Sequence, residues 1–178
     1  MGALASVFLL QFFRDPERRS DAPESSVVSP ADGTILEVGP SPSGEAPADL
    51  TQKVVIFMSV FNCHVNRAPI SGRLAGYTYS PGKKLAAFSP KSSTDNEQNR
   101  ISLDAGARSL MFKQIAGALA RRIVFRKKPG DMLVRGERIG MIRFGSRVDV
   151  FLPPSAEVSV ARGAKVKAGS TVLARFPA

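Results

Sequence analysis

Residues 130–136, Gly130-Asp-Met-Leu-Val-Arg-Gly136, are the most informative stretch for the fold. The pattern returns at Gly163-Ala-Lys-Val-Lys-Ala-Gly169, again with two glycines six positions apart and apolar residues between them. A strand-like run follows each copy, at 139–142 and at 171–174. Glycine at both ends of so short a segment permits the positive φ angles that tight corners require. The repeat therefore predicts short β-strands joined by sharp turns.

Composition and the other apolar runs extend this prediction to the whole chain. The 178 residues include 15 glycines and 13 prolines, which favour many short strands over long helices. Further strands are predicted on both sides of a turn within 27–38, within 53–59 and 72–79, and three times between 100 and 128, although 110–122 also has helical periodicity. Residues 85–99 read as an irregular loop. We expect an α+β fold, mostly antiparallel β, with few short helices.

The glycine-bounded repeat also resembles the corners of lipoyl- and biotinyl-type domains, which have barrel-sandwich hybrid sheets. Those domains present a modifiable lysine at a hairpin tip. Neither copy of the repeat here has a lysine in a matching context. The resemblance therefore implies barrel-sandwich-like sheets without a carrier function.

Charge and composition limit the expected partners. The formal net charge is +10, and residues 100–145 hold 11 Lys and Arg against 3 Asp and Glu. A basic region can bind an anionic membrane surface, an anionic substrate or nucleic acid. The chain has no Trp and no RNP-like or Cys/His-finger pattern, so a membrane is favoured and no nucleic-acid partner is expected. With one Cys and one His, neither a disulfide nor a metal site is expected.

Residues 1–19 are a candidate membrane-associating segment. The run 3–13 is apolar and ends at Arg14-Asp-Pro-Glu-Arg-Arg19. It is shorter than the roughly 20 residues that span a bilayer, and it lacks the positive start and small-residue cleavage site of a signal peptide. Two interpretations stay open: a helix or strand packed on the domain, and an interfacial helix whose arginines contact lipid phosphates.

Three candidate catalytic residues lie in distinctive surroundings. Ser146 follows Gly145 at the start of a strand-like run, His64 is the only histidine, and Asp32 lies in a Pro-Ala-Asp-Gly turn. These residue types can serve as a nucleophile, its base and the carboxylate that orients the base. The ordinary alternatives are a turn serine, a structural histidine and a turn-closing aspartate. Two functions stay open at this point: a Ser-His-Asp hydrolase, although the Gly-x-Ser-x-Gly elbow is absent, and a non-catalytic anionic-lipid-binding module.

Six segments, in order along nearly the whole chain, carry a resemblance to a known family. They are Phe12-Phe-Arg-Asp-Pro16, Ser29-Pro-Ala-Asp-Gly33, Phe57-Met-Ser-Val-Phe-Asn-Cys-His-Val-Asn-Arg-Ala-Pro-Ile-Ser-Gly72, Asp95-Asn-Glu-Gln-Asn99, Gln114-Ile-Ala-Gly117 and Phe144-Gly-Ser-Arg-Val-Asp-Val150. Together they resemble phosphatidylserine decarboxylase in its short bacterial form. Longer members of that family carry two histidines in the segment corresponding to 60–69 and Leu-Gly-Ser-Thr at the cleavage site. This chain has one histidine there and Phe-Gly-Ser-Arg.

The resemblance implies a self-processing, pyruvoyl-dependent enzyme. Ser146 is expected to attack the carbonyl of Gly145, and the chain is expected to separate into a β chain, 1–145, and an α chain, 146–178. The α chain then begins with a covalent pyruvoyl group derived from Ser146, which forms a Schiff base with the substrate amine. His64 is expected to act as base and proton donor, with Asp32 orienting it. The expected reaction converts phosphatidylserine to phosphatidylethanolamine and CO2.

The resemblance also gives expectations for binding and location. Arg67 is expected to bind the lipid phosphate or carboxylate, with pairing to an acid as the alternative. Asn96, Glu97 and Asn99 are expected to line the headgroup site, with solvent-facing loop positions as the alternative. Residues 20–178 would form a single catalytic domain whose two chains stay associated, with a homodimer as one oligomeric form. We expect peripheral attachment to the cytoplasmic face of a bacterial cytoplasmic membrane.

Overall fold

Antiparallel β-strands dominate the computed structural model, which describes residues 2–83, 85–89, 91–118, 122–143 and 146–177. The helices in these ranges are α1 (Gly2–Phe12), the single turn α2 (Ser92–Asp95) and a 3-10 turn at Gly106–Arg108. The predicted α+β class with mostly antiparallel sheet is confirmed. The strands are β1 (Ser26–Val28), β2 (Gly33–Pro40), β3 (Gln52–Met58), β4 (Val65–Arg67), β5 (Gly72–Ser80), β6 (Gln98–Asp104), β7 (Leu110–Ala116), β8 (Arg122–Phe125), β9 (Met132–Leu133), β10 (Arg138–Arg143), β11 (Ser146–Leu152), β12 (Glu157–Val158), β13 (Lys165–Val166) and β14 (Val172–Arg175).

The strands form one large sheet and two small ones. The large sheet has the order β13-β2-β3-β11-β7-β6-β5-β9, and its neighbouring strands are antiparallel. The small sheets have the orders β4-β10-β8 and β1-β14-β12. Strand β11 therefore lies in the middle of the large sheet, between β3 and β7. Its register places Ser146 opposite both Met58 and Ala116.

Strand β11 is buried along its whole length because both faces of the sheet are covered. Side chains alternate between the faces of a strand, so Ser146, Val148, Val150 and Leu152 share one face. Val148, Val150 and Leu152 belong to the main apolar core. Each such buried aliphatic side chain contributes about 1.5–3 kcal/mol relative to an exposed one. The packing on this face holds Ser146 in a fixed register.

The opposite face of β11 carries buried charges. The Arg147 guanidinium pairs with Asp149 over 2.5 Å and 2.9 Å, and Lys53 Nζ lies 2.6 Å from Glu45 and 3.5 Å from Asp149. Lys113 Nζ lies 3.7 Å from Glu45, and burial lowers the pKa of Lys113. These five side chains form what we call the ionic cluster. It ties the loop that contains Glu45 to the centre of the sheet.

The glycine repeat forms the corners that the sequence predicts. Gly130, Gly136, Gly163 and Gly169 have φ angles of +99°, +82°, +89° and +71°. The short strands β9 and β13 lie between the glycines of each pair, and β10 and β14 follow. A Cβ atom added to Gly169 would lie 2.8 Å from Cδ of Arg67 and 3.5 Å from Cα of Gly136. The two repeats therefore meet at Arg67.

Most of the local predictions are confirmed, and the exceptions have structural causes. The three strands predicted between 100 and 128 are present as β6, β7 and β8, and the helical alternative for 110–122 is wrong for 110–116, which form β7. Residues 110–116 are buried between β6 and β11, so strand pairing overrides the helical periodicity. Strands β1 and β2 flank the predicted turn, but they pair with β14 and β3 rather than with each other. The segment 85–99 is not wholly irregular, because it contains α2 and the start of β6.

The N-terminal segment begins as a helix, α1, whose last turn packs on the domain. Phe12 is fully buried, whereas the side chains of Val7 and Leu10 are 64% and 76% exposed. Within the described part of the chain, no helix has the length and apolar character needed to cross a membrane. Helix α1 thus combines a packed end with an exposed apolar surface.

Candidate active site

Ser146 lies at the first position of β11 with its side chain fully buried. Its hydroxyl donates to Sδ of Met58 over 3.1 Å. A thioether is a weak acceptor, so this contact holds the hydroxyl only loosely. Phe144 and Gly145 lie outside the described residues. Of the two residues joined by the predicted cleavage bond, the structure therefore describes Ser146.

His64 lies in the segment that leads into β4, and its ring is buried. The backbone carbonyl of His64 accepts a hydrogen bond of 3.3 Å from the amide of Ile142, which is four positions before Ser146. The ring Nδ1 lies 2.9 Å from the carbonyl oxygen of Asn62. That acceptor favours a proton on Nδ1 and leaves the Nε2 lone pair open. Nε2 has no hydrogen-bond partner within the described ranges.

The surroundings of His64 keep its imidazole neutral. The ring of Phe12 stacks on it with centroids 4.3 Å apart and an interplanar angle of 28°. Burial chiefly, with the positive charge of Arg14, lowers the pKa of His64 to a net value of about 4. The hydrogen bond to Asn62 and the negative charge of Asp32 act in the opposite direction. At neutral pH, His64 is therefore an unprotonated base.

Asp32 lies between β1 and β2 and makes its hydrogen bonds away from the imidazole. Its Oδ1 accepts from the backbone amide of Ala168 over 2.7 Å, and its Oδ2 pairs with Arg18 over 3.2 Å. Its charge nevertheless raises the pKa of His64, which places the two groups within electrostatic range. No hydrogen bond joins any two of Ser146, His64 and Asp32, all three of which the structure describes.

Arg67 is buried and all its hydrogen bonds go to the protein. Its guanidinium donates to the carbonyl of Gly136 over 2.9 Å, to Asp15 over 3.1 Å and to the carbonyl of Pro16 over 2.9 Å. Of the two alternatives for Arg67, these contacts favour pairing with an acid. Arg67 joins the N-terminal segment to the corner where the glycine repeats meet.

The predicted headgroup residues lie close to the strand partner of Ser146. Asn96 is buried, and its amide donates to the carbonyl of Ala116 over 2.6 Å and to that of Leu85 over 2.8 Å. Glu97 is half-buried, and its carbonyl accepts from the amide of Ala116 over 2.9 Å. Asn99 is buried and bonded to other side chains. A solvent-facing position is therefore wrong for Asn96 and Asn99.

Sequence reasoning did not single out Met58, Asn66 or Gln114. Met58 contacts the Ser146 hydroxyl, and the Asn66 and Gln114 amides are fully buried behind it. A signal for Gln114 was present, because it is a polar residue between apolar neighbours in a predicted strand. No sequence signal connects Gln114 with Asn66, because they are far apart along the chain.

Three cavities adjoin this region. An apolar cavity of about 270 Å³ is lined by Phe57, Met58, Ala86, Phe88 and Gly117 among others. A cavity of about 340 Å³ lies beside Asp32, Ser59, Asn62, Lys165 and Lys167. A third, of about 250 Å³, is lined by Val65, Arg126, Arg138 and Arg143 among others. Apolar and cationic surfaces thus surround the segment from Met58 to Val65.

Comparison with known proteins decides the family. A family model described as phosphatidylserine decarboxylase matches residues 5–174. The chain belongs to the phosphatidylserine decarboxylase family. Similar proteins include the phosphatidylserine decarboxylase proenzymes of Magnetococcus marinus, 48% identical over 93% of this chain and 76% of the relative, and of Ruegeria pomeroyi, 48% identical over 98% and 81%. The proenzyme of Chlorobium chlorochromatii is 45% identical over 96% of this chain and 80% of the relative. The resemblance found in the sequence motifs is confirmed.

Proposed function

We propose that this protein is a phosphatidylserine decarboxylase that makes a pyruvoyl group by breaking its own chain between Gly145 and Ser146. The observation that carries the proposal is a buried, loosely held serine hydroxyl together with a neutral buried imidazole whose Nε2 is open. The backbone of His64 is bonded to Ile142, in the strand that ends shortly before Ser146. Family membership supplies the reaction class.

Self-cleavage begins with an acyl shift. The Oγ atom of Ser146 attacks the carbonyl carbon of Gly145, and the bond from that carbon to the Ser146 nitrogen breaks. His64 Nε2 takes the hydroxyl proton and returns a proton to the departing nitrogen, which leaves an ester and a free amine. The negative charge of Asp32 favours the protonated imidazole without a direct hydrogen bond.

The ester then breaks by elimination. Loss of the Ser146 α-proton and of the Cβ–Oγ bond releases residues 1–145 with a terminal carboxylate. Water converts the remaining dehydroalanine to a ketone and ammonia, so the α chain begins with a pyruvoyl group. Four strands, β11 to β14, belong to 146–178, and three of them, β11, β13 and β14, pair with strands of 1–145. The two chains therefore stay associated after cleavage.

The position of Ser146 fits a pyruvoyl group. A group formed at Ser146 would be buried and held by the packing of β11, and Met58, the strand neighbour of Ser146, lines the apolar cavity. A pyruvoyl group supplies an electron sink for the electrons left behind when CO2 departs. Apolar surroundings keep water away from that reaction, and His64 is the group that can return a proton to the reacting carbon.

We assign the substrate surface as follows. The apolar cavity beside Phe57 and Phe88 suits the lipid chains, and Asn96 and Glu97 lie at the adjacent strand end. The cavity that holds Arg126 and Arg143 suits the phosphate, because Arg138 in the same cavity is paired with Asp15 and Glu17. Buried Arg67 is less accessible for this task.

Exposed apolar residues support the proposed attachment to a membrane. Val7 and Leu10 of α1 are exposed, and Phe61 and Phe88 are 71% and 69% exposed. Such side chains partition into the lipid interface, and nearby arginines attract anionic headgroups. Residues 1–19 then attach the domain peripherally to a bacterial membrane, on its cytoplasmic face.

Two measurements test the proposal. One is the intact mass of the purified protein under denaturing conditions, and the other is CO2 release when the native protein is incubated with phosphatidylserine vesicles. We expect two fragments, 1–145 and 146–178, the smaller with a carbonyl in place of its amine, and release of CO2. Ser146→Ala should remain a single chain without activity. Ser155→Ala, which changes an exposed serine beyond β11, is the matched control and should behave as the parent. An unbroken parent chain would overturn the proposal.

A further inference from the structure

Four side chains form a continuous hydrogen-bonded chain behind Ser146. The Tyr77 hydroxyl bonds to Oδ1 of Asn99 over 3.0 Å, and Nδ2 of Asn99 donates to Oε1 of Gln114 over 3.1 Å. Nε2 of Gln114 donates to Oδ1 of Asn66 over 2.7 Å. Asn66, Asn99 and Gln114 are buried, and only Tyr77 reaches the surface. We call these four residues the amide chain.

The bonds of the amide chain all point the same way. Each amide accepts at its oxygen from the residue nearer the surface and donates from its nitrogen to the next residue inward. Aligned bonds of this kind polarise one another and strengthen the donor at the inner end. The inner end is Nδ2 of Asn66. The reverse polarity would turn the Asn66 oxygen toward a sulfur atom, which has no proton to give.

The inner end of the amide chain and the Ser146 hydroxyl contact the same atom, Sδ of Met58. Nδ2 of Asn66 has Sδ of Met58 as its contact at 3.9 Å, and the Ser146 hydroxyl donates to that same sulfur over 3.1 Å. A fully buried amide N–H whose acceptor is a distant thioether is poorly satisfied. It would bond far more strongly to an anionic oxygen formed next to Ser146.

We propose that Asn66 is a catalytic residue of self-cleavage, and that Gln114, Asn99 and Tyr77 are positioning residues that aim it. This inference rests on the proposed cleavage at Ser146. When Oγ attacks, the carbonyl oxygen of Gly145 gains a negative charge, and that charge returns to form the ester carbonyl as the C–N bond breaks. Asn66 Nδ2 donates to this oxygen, while His64 carries the proton. The donor stabilises the transition state because its orientation is set in advance.

The experiment follows cleavage of newly synthesised full-length chain by gel and mass spectrometry. Asn66→Asp replaces the donor by an acceptor of the same shape, and we expect cleavage to slow by about 10²–10³-fold. Gln114→Met keeps the volume but frees the Asn66 amide to turn, and we expect roughly a tenfold decrease. Tyr77→Phe removes only the outermost bond and should change the rate less than about threefold. The effects should decrease from the inner to the outer end.

Two controls distinguish an effect on the orientation of the Asn66 amide from an effect on the stability of the fold. Gln52→Met removes a glutamine that also makes two hydrogen bonds, to the carbonyls of Pro153 and Ala156 at the far end of β3. We expect Gln52→Met to cleave at the parent rate. This should hold even if Gln52→Met and Gln114→Met lower the melting temperature equally, as measured in a Ser146→Ala background. In Gln114→Glu, the introduced carboxyl can donate to Asn66 only when protonated. Its rate relative to the parent should therefore rise as pH is lowered, whereas the relative rate of Gln114→Met should stay flat.

A different result would contradict each part of the inference. Cleavage of Asn66→Asp within about threefold of the parent overturns the inference, because loss of a transition-state donor has a much larger effect. Equal slowing of Gln52→Met and Gln114→Met, or a flat relative pH profile for Gln114→Glu, would show that Gln114 acts only on stability. An uncleaved parent chain would instead contradict the proposed function itself.

Discussion

The protonation of His64 gives a prediction that follows directly from its packing. Burial and Arg14 lower the pKa of His64 from 6.5 to about 4, and the stacked ring of Phe12 supplies part of that burial. Because each pKa unit corresponds to about 1.4 kcal/mol, the folded protein disfavours the imidazolium by about 3 kcal/mol. Phe12→Ala should admit water to the imidazole and raise its pKa by roughly 1–2 units.

The same shift predicts how stability depends on pH. Between pH 6.5 and about 4 the unfolded chain binds a proton at His64 that the folded chain does not. Stability should therefore fall as pH is lowered through this window, by up to about 3 kcal/mol from this group. Phe12→Ala should lower the free energy of unfolding at neutral pH by about 3–5 kcal/mol if the cavity stays open. Between pH 6.5 and about 4, however, its stability should decrease less than that of the parent.

The assay is an NMR titration of ¹³C-labelled histidine in the uncleaved Ser146→Ala protein. His64 is the only histidine, so one ring resonance reports its pKa without assignment. Phe61→Ala removes a largely exposed ring three positions away and is the control, with no change expected. A parent pKa near 6.5, or equal pKa values in the parent and in Phe12→Ala, would show that burial under Phe12 does not control the protonation of His64.

Three further predictions concern stability and membrane binding. Gly169→Ala should destabilise more than Gly130→Ala in thermal melting, by about 1–3 kcal/mol beyond the left-handed backbone penalty common to both, because only the first adds a Cβ against Arg67. Asp149→Asn should cost about 3–5 kcal/mol in chemical denaturation, because it leaves Arg147 without its buried partner charge, and a surface-like loss below about 1 kcal/mol would contradict the ionic cluster. Leu10→Asp should weaken sedimentation with anionic vesicles several-fold without changing the melting temperature, whereas unchanged binding would exclude α1 from the membrane contact.

Local chemistry explains why much of the fold could be predicted. The corners at Gly130, Gly136, Gly163 and Gly169 depend on φ angles that glycine adopts most readily, so their spacing is visible in the sequence. Residues 110–116 show the limit of such reasoning. Their periodicity allowed a helix, and only pairing with β6 and β11 made them a strand.

The candidate site was also predictable only in part. Ser146, His64 and Asp32 were found from their residue types and flanking motifs, and those motifs placed the chain in its family. Their mutual geometry was not predictable, because the partners of His64 and Asp32 are Asn62, Ala168 and Arg18 rather than each other.

Residue types and motifs were enough to predict the family and the mostly antiparallel class, both of which are confirmed, and they supplied the candidate site residues, which stay a prediction. These depend on residue identity and short-range spacing, which a sequence displays directly. The fold alone reveals that Phe12 covers His64 and that Asn66 and Gln114 meet behind Ser146. Such contacts join residues separated by some fifty positions, and they form because burial of apolar side chains brings distant helix and strand segments together.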